Sequence, residues 1–332
     1  MTKIEAARQE YKGWSSLMGV DTLARLNEIL AEGQGTWLIN LCEARQERKY
    51  VEAADAIARC GQRIVMMSGP SSSGKTSSSL RIAQQCRVLG LFPRVLELDN
   101  YFVEREKTPL DENGEFDFES IGAMNTELLQ ENIRDLLAGR EVMLPKFNFK
   151  EGRTEFDPSR TMKLASNELL FMEGIHALNP ALIPDIDQSS VFHIYISALS
   201  ALNSGIAEVV HNSTTDKRLL RRIVRDNRTR GISPEDNILR WPSVRRGEQR
   251  NIFPYEENAD VVFNSSMLYD VPLLRYYAEP LLHEVSESSP AYEKAQGLLR
   301  FVEHVTALKP AEIAAIPPTS IMREFIGGQI LV

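Results

Sequence analysis

Residues 68–80, SGPSSSGKTSSSL, constrain the fold of this chain more than any other part of its sequence. Residues 69–76 fit the pattern G-x-x-x-x-G-K-[ST], with a short apolar run before them and a segment of helical spacing after them. Glycines let such a loop turn its N–H groups inward, and the N-terminus of the following helix adds partial positive charge. The motif therefore predicts a loop, here called the phosphate loop (residues 69–76), that cradles the phosphates of a nucleotide.

Within the phosphate loop, Lys75 is expected to reach the terminal phosphates and the Thr76 hydroxyl to ligate magnesium. The predicted nucleotide ligands are Gly69, Pro70, Ser71, Ser72, Ser73, Gly74, Lys75, Thr76 and Ser77. The same loop serves GTPases, motors, transporters and kinases, so it leaves the reaction open. The sequence has no Asn-Lys-x-Asp signature for guanine and no Leu-Ser-Gly-Gly signature of transporter ATPases. Their absence favours a small-molecule kinase.

Apolar runs of strand length alternate with helical segments through the middle of the chain. These runs are residues 64–67, 94–98, 141–149, 168–172 and 191–196. The alternation predicts an α/β fold with a parallel sheet covered by helices on both faces. Residues 1–60 are expected to form a helical N-terminal extension and residues 61–332 a catalytic domain. The last part of that domain, from about residue 266, is expected to be helical.

The composition narrows the classes of protein to which the chain can belong. A formal net charge of -8 argues against a nucleic-acid or acidic-membrane binder. No apolar run reaches the roughly 18 residues of a spanning helix, and the polar start is unlike a signal peptide. We therefore expect a cytoplasmic protein with no membrane partner, and a homo-oligomer is compatible with the sequence. Three cysteines without a CxxC pair indicate reduced thiols rather than a disulfide framework or a zinc site.

Two carboxylates close predicted strands. Asp99 ends the second strand, and the carboxyl end of a parallel strand lies at the crevice where ligands bind. Asp99 is expected to accept the proton of an acceptor hydroxyl and to help hold the waters of the metal. Glu173 ends the run 168–172 and is expected, with Thr76, to hold magnesium. The alternative, that both carboxylates are plain turn residues, stays open.

Basic residues concentrate between positions 216 and 230. They are Lys217, Arg218, Arg221, Arg222, Arg225, Arg228 and Arg230. At helical spacing such a set repels itself unless an anion or carboxylates neutralise it. A mobile lid over residues 214–232 that closes on a triphosphate meets this need, with Arg222 and Arg225 as catalytic residues and Arg218 bound to the nucleotide. A solvated basic face and a nucleic-acid contact are the alternatives.

Six segments, in this order, resemble those of the phosphoribulokinase and uridine kinase family of P-loop kinases. They are GPSSSGKTS, LELDNYF, FDFES, LPKFNF, LLFMEGI and RLLRRIVRDNRTRG, between about residues 63 and 259. The later stretches WPSVRRGEQRNIFPYEENADVVFNS and PPTSIMREFIGG resemble a bacterial uridine-kinase-like subgroup. Longer members of that subgroup carry TGS and threonyl-tRNA synthetase-like domains, which this chain is expected to lack. The resemblance implies a P-loop NTPase fold of the nucleoside/nucleotide-kinase type.

The resemblance also implies a reaction and a set of site residues. It implies ATP and Mg²⁺, with transfer of the γ-phosphoryl group to the 5'-hydroxyl of a nucleoside and Asp99 as the base. Glu119 stands where uridine-cytidine kinases keep an aspartate that holds the ribose hydroxyls. The substrate-binding residues implied in addition are Tyr101, Phe102, Phe147 and Arg230.

The positions that would read the base depart from the family. Phe147 replaces a tyrosine, Gly152 a histidine, Ile232 an arginine and Arg240 a glutamine. An insertion of about fifteen residues, 199–213, precedes the basic segment and is expected to reshape the acceptor pocket. The resemblance therefore specifies phosphoryl transfer more firmly than pyrimidine recognition.

Two alternatives to a nucleoside kinase stay open. One is a kinase of another hydroxyl compound, such as pantothenate or a sugar phosphate, for which Lys146, Lys150 and Arg153 offer cations. The other is a non-catalytic nucleotide-binding regulatory or RNA-associated protein, suggested by the TGS-linked relatives. Retention of Asp99, Lys75, Thr76 and Glu173 together argues against the second, because a non-catalytic binder needs no acceptor base.

Overall fold

A five-stranded parallel sheet positions the phosphate loop. The computed structural model describes residues 1–112, 114, 116–148, 151–200 and 214–331. The strands are β1 (Ile64–Ser68), β2 (Phe92–Glu97), β3 (Glu141–Asn148), β4 (Arg153–Lys163), β5 (Glu168–Glu173), β6 (Val191–Ser197) and β7 (Val261–Asn264). The sheet order is β2-β5-β1-β6-β7, with every neighbouring pair parallel. The carboxyl ends of these strands therefore meet at one edge, where β1 runs into the phosphate loop.

Helices cover the sheet and extend beyond it at both ends of the chain. The longer ones are α1 (Lys3–Leu17), α2 (Leu23–Ala31), α3 (Gly35–Cys60), α4 (Lys75–Val88), α5 (Thr126–Leu137), α6 (Thr214–Arg230), α7 (Pro234–Asn251), α8 (Asp270–His283) and α9 (Tyr292–Glu303). Two short ones follow, α10 (Pro310–Ala314) and α11 (Arg323–Ile326). Among the described residues, none of the helices is long and apolar enough to cross a membrane.

The two faces of the sheet are buried against different helices, because successive strand residues point to opposite sides. Val65 and Phe171 lie in one apolar cluster with Ile57 of α3 and Ile82 of α4. Met66, which follows Val65 on β1, points to the opposite face and lies in a second apolar cluster together with residues of α5. The expected parallel sheet with helices on both faces is thus confirmed.

The run 141–149 does not join this sheet, although we counted it with the strands. It forms β3, which pairs antiparallel with β4 in a separate two-stranded sheet, and its register shifts between Met143 and Pro145. Proline cannot donate to a ladder and is confined to edges and bulges, which is consistent with this position. The sequence reading missed β4, RTEFDPSRTMK, because that strand is mostly polar and exposed and carries no apolar alternation.

The N-terminal helices share a core with the C-terminal half of the chain. Tyr11, Leu26 and Leu38 belong to one buried cluster with Leu219 of α6 and Phe325 of α11. The expected helical character of residues 1–60 and of the C-terminal part is confirmed. Because the two parts bury apolar surface against each other, they stabilise one another.

This shared core predicts the effect of truncating Leu26. Leu26 is 0% exposed, so Leu26→Ala leaves a cavity and should lower the free energy of unfolding by about 2–5 kcal/mol. Leu17 is 80% exposed, and Leu17→Ala should change the free energy of unfolding by no more than about 0.5 kcal/mol. Urea unfolding followed by circular dichroism measures both. Equal stability of the two variants would contradict a common core.

Candidate active site

The phosphate loop is held in a shape that its two glycines make possible. A Cβ on Gly69 would come within 2.1 Å of the Ile196 carbonyl oxygen of β6, so only glycine lets the loop pass this close to the sheet. Gly74 has φ +87°, which side chains disfavour. Ser72 adopts φ 58° and is the one positive-φ residue other than glycine in the described ranges. A conformation of that kind costs about 1–3 kcal/mol and persists where surrounding contacts enforce it.

The contacts that enforce this conformation are hydrogen bonds donated to the carbonyl groups of the loop. Arg218 donates to the Ser71 carbonyl at 2.9 Å, and the Ser265 hydroxyl donates to the Ser73 carbonyl. In a trans peptide the C=O and the following N–H point in opposite directions. The N–H group of Ser72 is therefore turned away from Arg218 of α6, and that of Gly74 away from Ser265, so both are free to face a phosphate.

Arg218 is itself fixed by a buried carboxylate. Both of its terminal nitrogens donate to Glu248 of α7, which also accepts from Arg245 and from the Ser71 N–H at 3.1 Å. Arg218 is 1% and Glu248 0% exposed. Burial raises the pKa of Glu248, but Arg218 and Arg245 outweigh it and hold that pKa below its ordinary value. Arg218 thus contacts the loop from behind, and its direct binding of nucleotide stays a prediction.

The first turns of α6 differ from the open surface expected of a lid. Lys217 and Arg221 are buried and pair with Asp270 at 3.3 and 2.8 Å. Burial lowers the pKa of Lys217 to about 8. A mobile lid stays a prediction only for the later turns, where Arg228 and Arg230 are exposed. Residues 201–213, most of the predicted insertion, lie outside the described residues.

Three arginines of those later turns surround one buried carboxylate. Arg225 donates to Asp226 at 2.7 Å, and Arg222 and Arg230 lie 3.4 and 3.7 Å from it. Arg222 also donates to the Ser71 hydroxyl at 3.0 Å. Asp226 is 0% exposed, and its negative charge offsets part of the repulsion among these three arginines. Arg222 is therefore the predicted catalytic arginine that already contacts the phosphate loop.

On the open side of the loop, the predicted magnesium ligands are in contact. The Thr76 hydroxyl donates to Glu173 Oε1 at 2.9 Å. Glu173 ends β5, which lies between β1 and β2, opposite Met67 and Glu97. Burial raises the pKa of Glu173 to about 7; Lys75 opposes this and the charge of Asp99 adds to it. The Thr76 hydroxyl and the Glu173 carboxylate thus place oxygen atoms side by side, and oxygen is the ligand atom that Mg²⁺ prefers.

Lys75 and Asp99 face the same space. The Lys75 ammonium donates to the carbonyls of Gly69 and Pro70 at 3.0 and 3.4 Å, so its charge has no carboxylate partner within the described hydrogen bonds. Asp99 lies in a single helical turn, Leu98–Tyr101, directly after β2, and has solvent access. Burial raises the pKa of Asp99 above its ordinary value, although the positive charges of Lys75 and Arg230 oppose this shift. Both groups act electrostatically on Glu173, so the three share one site.

Glu119 reaches this site from the loop before α5. A Cβ on Gly247 of α7 would come within 2.3 Å of the Glu119 Cβ, so α7 packs directly on it. Burial and the charge of Glu248 raise the pKa of Glu119 to about 7, against the opposing charges of Arg222 and Lys75. Glu119 thus lies within electrostatic range of the predicted catalytic groups Arg222, Lys75 and Asp99.

The aromatic residues predicted for the acceptor side pack against one another in the apolar core, where Phe102 and Phe147 are both buried. The Phe102 and Phe147 ring centroids are 5.6 Å apart, and Phe118 meets Phe102 edge-on at 6.1 Å. Tyr101 belongs to the same buried cluster: it is 1% exposed, and its hydroxyl accepts from Asn132 of α5 at 3.0 Å. The core position of Tyr101 offers no contact with an acceptor, and its substrate role stays a prediction.

Sequence reasoning missed the residues that act from a distance. Glu248, Asp270 and Ser265 hold α6 and the phosphate loop together, and each lies far along the chain from its partners. No spacing rule relates them to the loop. The excess of arginine in α6 was the available signal for these carboxylate partners, because so many cations on one helix require negative charges nearby.

The fold and site define a class: a P-loop protein with a lysine in its loop, a threonine hydrogen-bonded to a strand-end glutamate and a second strand-end carboxylate at the same edge of a parallel sheet. The model of the Phosphoribulokinase / Uridine kinase family matches residues 64–272. The chain belongs to this family, which confirms the resemblance. Membership supports a small-molecule kinase.

Individual relatives are similar at modest identity. A uridine kinase from Ligilactobacillus salivarius is 26% identical over 60% of this chain and 83% of its own length. A uridine kinase from Staphylococcus aureus is 27% identical over 60% of this chain and 86% of its own. Among solved structures, a possible uridine kinase from Bacillus stearothermophilus aligns with TM-score 0.42 and 20% identity, over 65% of this chain and 98% of its own. D-glycerate 3-kinase from Cryptococcus neoformans aligns with TM-score 0.40 and 10% identity, over 62% and 87%.

The raised pKa of Glu173 predicts a pH dependence of stability. The folded protein holds this proton up to about pH 7, whereas the ordinary pKa is 4.5, so the stabilisation is present below 4.5 and lost as the pH rises through 7. Glu173→Gln cannot ionise and should show a smaller fall in the free energy of unfolding across that range. Urea unfolding in EDTA measures it. Glu131→Gln, at an exposed position of α5, should keep the wild-type fall; equal falls in both variants would contradict the assignment.

Proposed function

We propose that this chain is an ATP-dependent kinase that transfers the γ-phosphoryl group to the 5'-hydroxyl of a nucleoside. The observation that carries the proposal is the convergence of Lys75, Asp99 and Glu173 on one edge of the sheet, in front of the phosphate loop. A nucleotide-binding protein without turnover would not need Asp99 there. Family membership and the uridine kinase relatives support a phosphoryl transfer to a small molecule.

The donor half of the site supplies positive charge and N–H groups. Within the part of the chain that the structure describes, the Lys75 ammonium donates only to carbonyl oxygens of its own loop, and a phosphate oxygen can replace these contacts. Arg222 lies against Ser71 and can stabilise charge on the transferring phosphoryl group. Thr76 and Glu173 would hold Mg²⁺, which neutralises charge on the donor when bound. The loop thus positions the donor while these groups stabilise developing charge.

The acceptor half has a base and a hydroxyl-binding carboxylate. Asp99 is open to solvent and accepts a proton from a hydroxyl placed beside it. Glu119 lies within electrostatic range of Asp99 and can accept hydrogen bonds from neighbouring hydroxyls of the acceptor. Lys146 and Arg153 are exposed, and Arg153 pairs with Glu151. Lys150 lies outside the described residues. Lys146 precedes Phe147, whose N–H donates to the Asn100 side chain at 3.4 Å, so a phosphorylated sugar stays the alternative acceptor that an acceptor panel decides.

An acceptor panel tests the proposal. Purified protein with ATP and Mg²⁺ should phosphorylate at least one nucleoside, detected by mass spectrometry, and the matching 5'-deoxynucleoside should gain no phosphate. Product only with pantothenate or a sugar phosphate would show a kinase of another hydroxyl compound. No product with any acceptor, beside active controls, would contradict catalysis. RNA binding with a steep salt dependence would then favour the RNA-associated alternative.

The role of Asp99 has its own test. Asp99→Asn keeps the size of the side chain but removes the base, so kcat should fall by about a hundredfold or more while ATP binding stays intact. Asp55→Asn, on α3 away from the site, is the matched control and should keep full turnover. Unchanged kcat in Asp99→Asn would remove Asp99 from the reaction.

A further inference from the structure

The C-terminal segment, residues 320–329, lies on the start of α4. Ile321 is buried, and a Cβ on Gly74 would come within 2.2 Å of its Cδ1, so Ile321 packs directly on the phosphate loop. The Ser77 hydroxyl donates to Glu324 Oε2, and the Ser77 N–H lies 3.4 Å from the same oxygen. Gln329 donates to the Ser77 hydroxyl at 2.7 Å. A predicted nucleotide ligand, Ser77, is therefore bound to a carboxylate of the same chain.

Ser77 belongs to the row of N–H groups that a nucleotide would use. The first backbone bond of α4 runs from the Ser78 N–H to the Gly74 carbonyl, so the Ser77 N–H precedes it and lies among the donors that the helix leaves free. Such donors, with the helix dipole, form an anion position. The N–H groups of a phosphate loop and its helix cradle a phosphate chain, with Lys75 toward the terminal phosphate. Ser77, further into α4, is then nearest the phosphate that carries the nucleoside.

Hydrogen bonds hold the main chain at Glu324 in place, whereas the Glu324 side chain is partly exposed to solvent. Arg228 of α6 donates to the main-chain oxygens of Glu324 and Phe325 at 3.2 and 3.3 Å. Phe325 is fully buried, with the Arg221 guanidinium 4.9 Å above its ring. The Glu324 side chain itself is half-buried, so it can rotate away from Ser77 while α11 stays in place. The contact with Ser77 is thus reversible without unfolding.

We infer that Glu324 sets the affinity of the donor site, because its carboxylate competes with the donor phosphate nearest the nucleoside for Ser77. This inference rests on the proposed function, since it takes the donor to be a nucleoside triphosphate. A carboxylate and a phosphate repel each other and use the same donors, so both cannot occupy this position. Binding of the donor therefore requires Glu324 to turn away, and part of the binding free energy is spent on that step.

Glu324→Gln tests the competition, because glutamine keeps the size and an acceptor oxygen but removes the charge. Isothermal titration calorimetry with Mg-ADP and with a non-hydrolysable Mg-ATP analogue, in the absence of acceptor, should show a Kd about tenfold lower than that of the wild type, equivalent to about 1.4 kcal/mol. The difference should shrink at high salt, which screens the repulsion. Glu303→Gln, at an exposed position of α9, should leave the Kd unchanged. Glu324→Ala provides a second variant, and thermal unfolding shows that each is folded.

The outcomes separate this inference from the proposed function. Tighter nucleotide binding by the folded Glu324 variants supports the competition. An unchanged or higher Kd in both variants overturns it and makes Glu324 a cap of α4 or a partner of the nucleotide, even if the protein phosphorylates nucleosides. If neither wild type nor variants bind nucleotide, the inference and the proposed donor fail together.

Discussion

The rest of the site depends on the hydrogen bonds that the carbonyl groups of the phosphate loop accept from α6 and from the residue after β7. A loop that presents several N–H groups to one anion must turn its carbonyls the other way, and those carbonyls need donors. Arg218 and Ser265 supply them, and Glu248 fixes Arg218 in turn. Ser72 keeps an unfavourable φ inside this frame. The phosphate cradle is thus shaped before a nucleotide arrives, which lowers the cost of ordering it on binding.

The same arrangement places net positive charge behind the loop. Lys217, Arg218 and Arg221 are buried and face two buried carboxylates, Glu248 and Asp270. Buried ion pairs contribute little to stability after desolvation is counted. An excess cation close to the loop instead favours an incoming phosphate, because its field is poorly screened by water. The basic cluster therefore serves the predicted anion site from inside the fold, while only its last turns face the opening.

The parts of the molecule that sequence predicted are those with local signals. The phosphate loop carries its own motif, and Asp99 and Glu173 follow apolar strands whose carboxyl ends must meet at one edge once the sheet is parallel. β4 and Glu248 lack such signals. The first is polar because it lies in an exposed hairpin, and the second is recognisable only through its contact with Arg218, 30 residues away along the chain. Long-range packing decides both, and no residue pattern encodes it.

Two of the four expected departures from the family, at Phe147 and Gly152, have a common physical direction. Phe147 is buried against Phe102 and offers no hydroxyl to a base. Gly152 has φ 68°, and a Cβ there would come within 2.7 Å of the Arg105 side chain, so a histidine cannot simply be restored. Both changes remove a hydrogen-bonding side chain, whereas Glu119 keeps a carboxylate within electrostatic range of Asp99. Because Phe147 brings no hydrogen-bonding group to a base, while the Glu119 carboxylate can accept hydrogen bonds from sugar hydroxyls, we expect discrimination in this pocket to rest on the sugar more than on the base.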